Sequence, residues 1–276
     1  MYRPNTALAE KAMDIRRIAL ETALKAGKGH VAPAFSWADL GVMLYYGGVL
    51  RVRPEEPHWP DRDRLILSKG HACLTLYAIL ADQGFFPSAE LDDFAGDGSL
   101  LPGHPDHRIP GVDVLSGSLG HGLGVAAGMA FAAKVDDKPY RVFTILGDGE
   151  CHEGSVWEAA MFAGHHRLAN MVAILDNNGL SATNYTDQVV TLGPVADRFA
   201  AFGWDTVTVD GHDFEALARV FDPASLDARV RPLAVIAQTV KGKGVDFMEN
   251  SPKWHHQLPK GEQVAAALAQ LRTPKA

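Results

Sequence analysis

The chain has 276 residues, of which 47% are hydrophobic, and no linker, repeat or low-complexity tract divides it, so we expect one large domain over residues 1–276. Its 26 basic and 33 acidic residues give a net charge of −7, which argues against a nucleic-acid-binding surface. Two cysteines do not suggest a disulfide framework, and neither a signal peptide nor a membrane-length apolar run is present, so we expect a cytoplasmic protein without a membrane partner.

The first fifty residues predict two helices separated by a glycine loop. The first helix should cover residues 6–26 and the second residues 36–46, because Ser36 followed by Asp39 is a pattern that starts helices. His30 lies in the loop GKGH between them. Capping or packing is the ordinary role of such a loop histidine, and its position alone does not assign it another.

A short strand, RLILS (64–68), ends just before His71. A histidine between a parallel strand and the next helix is well placed to contact a phosphate or a substrate hydroxyl. Residues 84–113 then form a long irregular segment, which in a compact domain is usually functional or disordered. It contains a Gly-Asp-Gly triplet around Asp97, but no strand precedes that triplet, so we do not interpret it as a ligand-binding turn.

A glycine-rich stretch, SGSLGHGLGVAAGMA (116–130), predicts a loop that opens into a helix. Its segment 122–127 also fits the dinucleotide-binding fingerprint in the form that ends in alanine. No convincing strand leads into the segment, and the glycines continue beyond it. The context therefore argues against a dinucleotide site.

The central stretch, residues 141–180, predicts a β-α-β unit. RVFTIL and MVAIL have the continuous apolar character of strands buried on both faces of a parallel sheet. The first strand ends at the Gly-Asp-Gly turn of Asp148, and the second ends at Asp-Asn-Asn, residues 176–178. Because open α/β sheets bind ligands at the carboxyl ends of their strands, Asp148 and Asn178 should face one crevice.

Asp148 and Asn178 together suggest a site for a hard cation. A carboxylate, an amide oxygen and a loop carbonyl suit Mg²⁺ or Ca²⁺ when a phosphate completes the coordination. The amide of Gly149 and the start of the following helix could hold that phosphate. A purely local alternative stays open at this point: Asp148 would cap the helix and Asn178 would close an Asx turn.

The rest of the chain continues the alternation of helices and strands that is typical of a parallel sheet. Helices are predicted at 194–202, 213–221 and 262–272, and strands at 204–209 and 232–239. In KGKGVDFMENSPKWHH, which follows the last strand, Lys241, Lys243 and His255 could face a diphosphate; a solvated basic loop is the alternative for both lysines. We predict an α/β fold with a doubly wound, mostly parallel sheet and helices on both faces.

Several of these blocks, in this order, resemble the transketolase family of thiamine diphosphate enzymes. Gly-Asp-Gly followed about thirty residues later by Asn-Asn is a signature of enzymes with that cofactor, and GDGECHEGSVWEAAMFAGHHRL resembles transketolases specifically. The other similar blocks are GKGHVAPAFSWADL, RLILSKGHACLTLYAIL, LPGHPD, SGSLGHGLGVAAGMA and TVKGKGVDFMENSPKWHH. The resemblance covers almost the whole chain and is closest to the short N-terminal subunits of split transketolases.

The resemblance implies a thiamine diphosphate cofactor held through Mg²⁺, Ca²⁺ or Mn²⁺. The implied metal ligands are Asp148, Asn178 and the carbonyl of Leu180. The implied cofactor contacts, besides Asp148 and Asn178, are His71, Gly117, Leu119, Gly149, Glu153 and His255.

The resemblance also implies which side chains act on the sugar. The implied catalytic residues, which can exchange protons or hydrogen bonds near neutral pH, are His30, His71, His104, Glu153 and His255. Glu153 and Glu158 match glutamates of a proton-relay network at the subunit interface; support of the helix dipole is the local alternative for Glu153. Ser118 and His121 stand where transketolases usually carry proline and glutamine. The resemblance therefore does not imply the shape or polarity of the pocket wall that these two residues form.

The implied function is transfer of a two-carbon ketol unit from a ketose or ketose phosphate to an aldose, EC 2.2.1.-. In this family the glutamate that activates the cofactor, and the arginines that hold a sugar phosphate, belong to a pyrimidine-binding domain that we do not recognise here. We therefore expect that the partner is a separate C-terminal subunit, in an α₂β₂ assembly.

Three other enzyme classes stay open from the sequence. An E1 α-type subunit of a 2-oxo acid decarboxylase or lyase would share the Gly-Asp-Gly and Asn-Asn turns, although the GHP and WHH histidines favour sugar chemistry. An NAD-binding dehydrogenase would depend on segment 122–127. A zinc hydrolase could use His104 with His107, or the adjacent pairs 165–166 and 255–256, but adjacent histidines do not easily converge on one tetrahedral ion and no HExxH is present.

Overall fold

The computed structural model describes residues 5–272 and contains a five-stranded sheet in which every pair of neighbouring strands is parallel. The strands are β1 (Arg64–Leu67), β2 (Val142–Gly147), β3 (Met171–Asn177), β4 (Asp205–Asp210) and β5 (Leu233–Gln238). Their spatial order is β1-β2-β3-β5-β4, so β5 lies between β3 and β4. The predicted α/β fold is confirmed, and each predicted strand differs from the observed one by at most two residues at either end.

Helices connect and cover these strands. They are α1 (Asn5–Ala26), α2 (Val31–Ser36), α3 (Ala38–Tyr46), α4 (Cys73–Gln83), α5 (Gly122–Val135), α6 (Gly154–His165), α7 (Thr186–Val189), α8 (Val195–Ala201), α9 (Phe214–Val220), α10 (Pro223–Asp227) and α11 (Glu262–Gln270). Short 3₁₀ helices cover Gly70–Ala72, Ser88–Asp93, Gly149–His152 and Pro252–His255. The sequence analysis predicts neither α7 nor α10, although Asp222 before Pro223 is a recognisable helix start, and its side chain accepts a hydrogen bond from the Ser225 amide at 2.9 Å.

Two hydrophobic cores lie on opposite faces of the sheet. On β2, Phe143 and Ile145 pack into the core that α1, α3, α4 and α9 share. Val142 and Leu146 point the other way, into the core of α5, α6 and α8. Because both faces are covered, β2 and β3 must be apolar at nearly every position, which is why they appear in the sequence as continuous runs.

One predicted element is wrong. Ser36 ends α2 rather than starting a helix, and the chain turns at Trp37 before α3 begins at Ala38. The Ser36 hydroxyl donates to the carboxylate of Asp176 at 2.5 Å and lies 3.0 Å from the Pro33 carbonyl, so it does not cap a helix. Contacts with a residue 140 positions away have overridden the local capping pattern.

Within residues 5–272, no helix has the length and hydropathy that a bilayer crossing requires.

Candidate active site

A cavity of about 360 Å³ opens at the carboxyl ends of β2 and β3. The two strands are neighbours, and Gly147 at the end of β2 is in register with Asp176 on β3. The following turns therefore lie side by side, and Asp148 and Asn178 both line the cavity. The volume lies within the range of small-ligand sites.

Asp148 and Asn178 also make the local hydrogen bonds of their turns. Asp148 Oδ1 accepts from the Gly149 amide at 2.8 Å, and its Oδ2 accepts from the Gly179 amide at 2.5 Å. Asn178 Oδ1 accepts from the Leu180 amide at 3.1 Å, which closes an Asx turn. Both side chains therefore make the cap and turn contacts that the local alternative predicts. Each oxygen has a second lone pair, so these bonds orient the side chains without preventing them from binding a cation.

The carboxyl group of Asp148 is incompletely compensated in the protein alone. Burial and the nearby carboxylate of Asp176 raise the pKa of Asp148 to about 6, despite the amide hydrogen bonds from Gly149 and Gly179. A bound divalent cation would supply the missing positive charge. The carbonyl of Leu180, which also lines the cavity, completes an oxygen donor set that suits Mg²⁺.

A buried network around Asp176 lies next to the cavity and reaches its wall through Lys69 and Pro33. Asp176 pairs with Lys69 and accepts hydrogen bonds from the hydroxyls of Ser36 and Thr239. Burial alone would raise the pKa of Asp176, but the charge of Lys69 and these hydrogen bonds lower it. Lys69 also donates to the Pro33 carbonyl at 3.1 Å, so the network joins four separate segments of the chain.

Glu150 is a second acidic residue of the cavity wall that the sequence analysis missed. It is buried, and it accepts hydrogen bonds from the Ser68 hydroxyl, from the Gly120 amide at 2.9 Å and from the Gly147 amide at 3.1 Å. Burial raises its pKa. Glu150 thereby ties the glycine loop before α5 to the end of β2. Its place directly after the Gly-Asp-Gly triplet is the signal that could have identified it.

The two lysines after β5 have different environments. Lys241 is buried in the cavity wall, where its Nζ donates to the Ser181 carbonyl at 2.7 Å and lies 2.7 Å from Nδ1 of His255. Burial and the charge of Lys69 lower the pKa of Lys241 to about 8. Lys243 is partly exposed, lies 3.9 Å from Glu249 and does not line this cavity.

Three predicted histidines converge on the cavity. The ring centres of His30, His71 and His255 lie 5.2 to 5.5 Å from one another. Burial, followed by the neighbouring His256, lowers the pKa of His30 to about 4, and burial with the charge of Lys241 lowers the pKa of His255 to about 2. Burial also brings the pKa of His71 well below its usual value. These imidazoles are neutral at physiological pH, so each has one donor and one acceptor nitrogen for a polyhydroxylated ligand.

The other predicted site residues lie around this centre. Gly117 and Leu119 line the cavity. His104 is exposed, with its ring centre 6.5 Å from that of His30, and therefore lies at the rim. Glu153 and Glu158 are exposed at the start and on the surface of α6, outside the cavity wall.

The structure does not support the sequence patterns that we set aside. Segment 122–127 forms the first turns of α5 and has no strand leading into it, so the strand-turn-helix geometry of a dinucleotide site is absent there. Asp97 of the second Gly-Asp-Gly triplet is exposed in a turn, and the side chain of His107 is 68% exposed.

Comparison with known proteins gives consistent matches. The family model described as "Transketolase, thiamine diphosphate binding domain" matches residues 8–273. One of the subunits of an apulose-4-phosphate transketolase, from Phocaeicola vulgatus, is 41% identical over 258 residues, which cover 93% of this chain and 90% of that protein. A 6-deoxy-6-sulfo-D-fructose transketolase subunit of a Clostridium species is 40% identical over 265 residues, which cover 96% of this chain and 96% of that protein.

A solved structure agrees with these matches. The transketolase of Campylobacter jejuni superposes with a TM-score of 0.90 at 30% identity. The match covers 96% of this chain but only 43% of the Campylobacter chain. This chain is therefore similar in extent to the separate subunits and spans less than half of the longer transketolase.

Proposed function

Because this chain belongs to the transketolase family through its thiamine diphosphate-binding domain, we propose that it is one subunit of a two-subunit transketolase. The assembled enzyme transfers a two-carbon ketol unit from a ketose phosphate, or a similar anionic ketose, to an aldose. The observation that carries the proposal is the cavity itself, in which the paired turns after β2 and β3 meet three neutral histidines. We further propose that residues 1–276 form a single domain and that the protein is cytoplasmic.

The residues present fit thiamine diphosphate with a divalent metal ion. The metal would bind Asp148, Asn178 and the Leu180 carbonyl, and its charge would compensate the buried carboxylate whose pKa is raised to about 6. The buried ammonium of Lys241 would contact the diphosphate, and the Gly149 amide would do so in place of its hydrogen bond to Asp148 Oδ1. When bound, this cofactor supplies the carbanion and the electron sink for breaking a carbon–carbon bond.

The histidines would bind and orient the donor sugar. His30, His71 and His255 are held neutral by their burial. His30 and His71 can each donate to one hydroxyl and accept from another, whereas His255, whose Nδ1 accepts from Lys241, can donate to one. His104 at the rim would reach a hydroxyl further from the reacting carbon. Glu153, exposed at the start of α6, would act only across a subunit contact.

The exposed apolar side chains of α5 and α6 support a partner subunit. The two helices pack against each other and present Val125, Met161 and Phe162 to solvent, and Met161 is 54% exposed. Leu119 joins this surface to the cavity, since it is itself partly exposed and lines the cavity wall. A subunit that docks here would close the cavity and exclude water. We propose that this surface binds the C-terminal subunit, which supplies the activating glutamate, in an α₂β₂ assembly.

Reconstitution tests the proposed activity. The purified chain should show no ketol transfer with Mg²⁺ and thiamine diphosphate, and the pair formed with its C-terminal subunit should act on ketose phosphates and not on 2-oxo acids. Full activity of the isolated chain would refute the two-subunit proposal. Consumption of 2-oxo acids in place of ketoses would instead favour a decarboxylase.

Two lysine substitutions test the docking surface. Met161→Lys should weaken association of the subunits at least about tenfold, because it places a charge in an apolar contact. Val230→Lys is the matched control, since Val230 is 73% exposed and belongs to neither α5 nor α6. Equal association of both variants in sedimentation experiments would show that the C-terminal subunit docks elsewhere.

A further inference from the structure

Three imidazoles come together where two cavities meet. His30 and His256 line both the cavity described above and a second one of about 720 Å³ beside it, and His255 lines the first cavity. Nδ1 of His256 is 3.0 Å from Nε2 of His30, and one ring nitrogen from each of the three histidines lies within 4.8 Å of the others. Neither the proposed cofactor site nor the donor-sugar contacts require His256.

We propose that His30, His255 and His256 form a site for a zinc-type divalent cation. Zn²⁺ binds imidazole nitrogen at 2.0–2.1 Å, which for a tetrahedral ion separates the ligand atoms by about 3.3 Å. The His30–His256 separation is already close to that value, and the remaining ligand needs a shift of about 1 to 1.5 Å, which side-chain rotation can supply. The fourth position is left for water or for an oxygen of a bound molecule.

The protonation of the cluster favours a metal ion. Burial, with the charge of Lys241, lowers the pKa of His255 to about 2, and burial with His256 lowers the pKa of His30 to about 4. Both rings are therefore uncharged at neutral pH, and each has one lone-pair nitrogen, which in His255 accepts a hydrogen bond from Lys241 when no ion is bound. The Lys241 ammonium donates to Nδ1 of His255 at 2.7 Å and to the Ser181 carbonyl at 2.7 Å, so an ion bound to His255 requires Lys241 to give up the first of these hydrogen bonds and keep the second.

Adjacent histidines converge here because of the local backbone. His255 ends the 3₁₀ helix Pro252–His255, and the rings of His255 and His256 lie 4.5 Å apart at an angle of 69°. His30, brought in from the glycine loop before α2, adds the third nitrogen. Adjacent histidines do not easily complete a tetrahedral site by themselves, and the proposed site therefore depends on the third ring.

This site is chemically distinct from the oxygen site at Asp148. Three neutral nitrogens select a borderline cation such as Zn²⁺, whereas carboxylate, amide and carbonyl oxygens select Mg²⁺. Because His30 and His255 would also bind the donor sugar, an ion held by them would exclude the sugar. This consequence, inhibition of the transferase by zinc, rests on the proposed function; the binding itself does not.

Zinc binding to the full chain tests the proposal directly. Metal-stripped protein in excess Mg²⁺, which keeps oxygen sites filled, is titrated with Zn²⁺ by calorimetry, and with Co²⁺ as a visible-absorption probe of tetrahedral nitrogen coordination. We expect one Zn²⁺ per chain and a loss of affinity of at least about tenfold in His256→Ala. His165→Ala is the matched control, because exposed His165 belongs to an adjacent pair, His165–His166, whose rings lie 4.9 Å apart.

Zinc bound equally by wild type and His256→Ala, or lost equally in His165→Ala, would overturn the site. The absence of tetrahedral Co²⁺ bands in wild-type protein would also overturn it. These measurements need neither substrate nor the C-terminal partner, so an inactive reconstituted pair would count against the proposed function and not against the zinc site.

Discussion

Replacing Asp148 by asparagine should stabilise the isolated chain and abolish its response to metal and cofactor. Burial raises the pKa of Asp148 from 3.8 to about 6, so ionising this group in the folded protein costs about 3 kcal/mol at pH 7 relative to the unfolded chain. An asparagine removes the charge but turns one N–H group toward an amide donor, either that of Gly149 or that of Gly179, which offsets about 1–2 kcal/mol. The net expectation is a gain of about 1–2 kcal/mol in the free energy of unfolding without ligands.

The gain in the free energy of unfolding that Asp148→Asn produces should increase with pH. A carboxyl group with a raised pKa favours the folded state below its unfolded pKa near 4, and this contribution is lost as the pH rises through the folded value near 6. The advantage of Asp148→Asn should therefore be full at pH 7 and largely gone by about pH 4 to 5. Urea unfolding at several pH values measures it.

In the presence of Mg²⁺ and thiamine diphosphate, the wild type should become more stable than Asp148→Asn. Mg²⁺ with thiamine diphosphate at about 100 times the dissociation constant should stabilise the wild type by about 3 kcal/mol and leave the variant unchanged. Asp97→Asn, in the exposed second Gly-Asp-Gly triplet, is the control and should alter neither property. A variant that still gains stability from Mg²⁺ and cofactor, or whose advantage does not shrink on acidification, would refute the reasoning.

Three further predictions concern the frame around the site. Lys69→Met should lower the free energy of unfolding by about 3–5 kcal/mol, because it leaves the buried carboxylate of Asp176 unpaired. Burial opposes ionisation of Asp39, but the charge of Arg16 and hydrogen bonds from His212 and Arg16 lower its pKa to about 2. The ionised Asp39 should therefore contribute about 2 kcal/mol to the free energy of unfolding, a contribution that is present above pH 4 and lost as the pH falls through 2. Gly120→Ala should destabilise the loop before α5, because a Cβ there would lie 2.5 Å from the Ser155 hydroxyl at a φ of +84°.

Matched variants separate each cause from a general effect of substitution. Lys11→Met breaks a more exposed pair with Asp82 and should cost less than about 1 kcal/mol in denaturant unfolding. Asp39→Asn should unfold in acid with a shallower pH slope than wild type; parallel slopes would contradict the assignment. Gly84→Ala has a similar φ of +87° but open space around the new Cβ, so it should cost less than Gly120→Ala if the steric contact is the cause.

The sequence is sufficient to predict the parallel sheet and the two neighbouring turns at the carboxyl ends of β2 and β3. The strands of a sheet covered on both faces are apolar without interruption, so β2 and β3 can be recognised, and neighbouring parallel strands bring their carboxyl ends together. Asp148 and Asn178 can therefore be paired across about thirty positions. The three converging histidines follow from family resemblance, because nothing in the composition of a glycine loop distinguishes His30 from a surface residue.

The buried polar network could not be predicted because its partners are remote in sequence. Lys69 and Asp176 are separated by 107 positions, and no local pattern shows which lysine among many lies in a core. A rule that considers only neighbouring residues places Ser36 at a helix start, whereas its hydroxyl bonds to Asp176. The sequence draws attention to the adjacent pair 255–256 but not to the contact of His256 with His30, because that contact spans 226 positions.

The strand order has a consequence for synthesis of the protein. Among the described strands, β4 pairs only with β5, and β5 also carries the chain to Lys241 and on to His255. A nascent chain that has emerged from the ribosome only as far as β4 therefore has an unpaired strand, an exposed edge on β3 and a cavity wall that lacks Lys241, His255 and His256. Insertion of β5 is therefore the step that pairs β4 and brings Lys241 and the two histidines to the cavity.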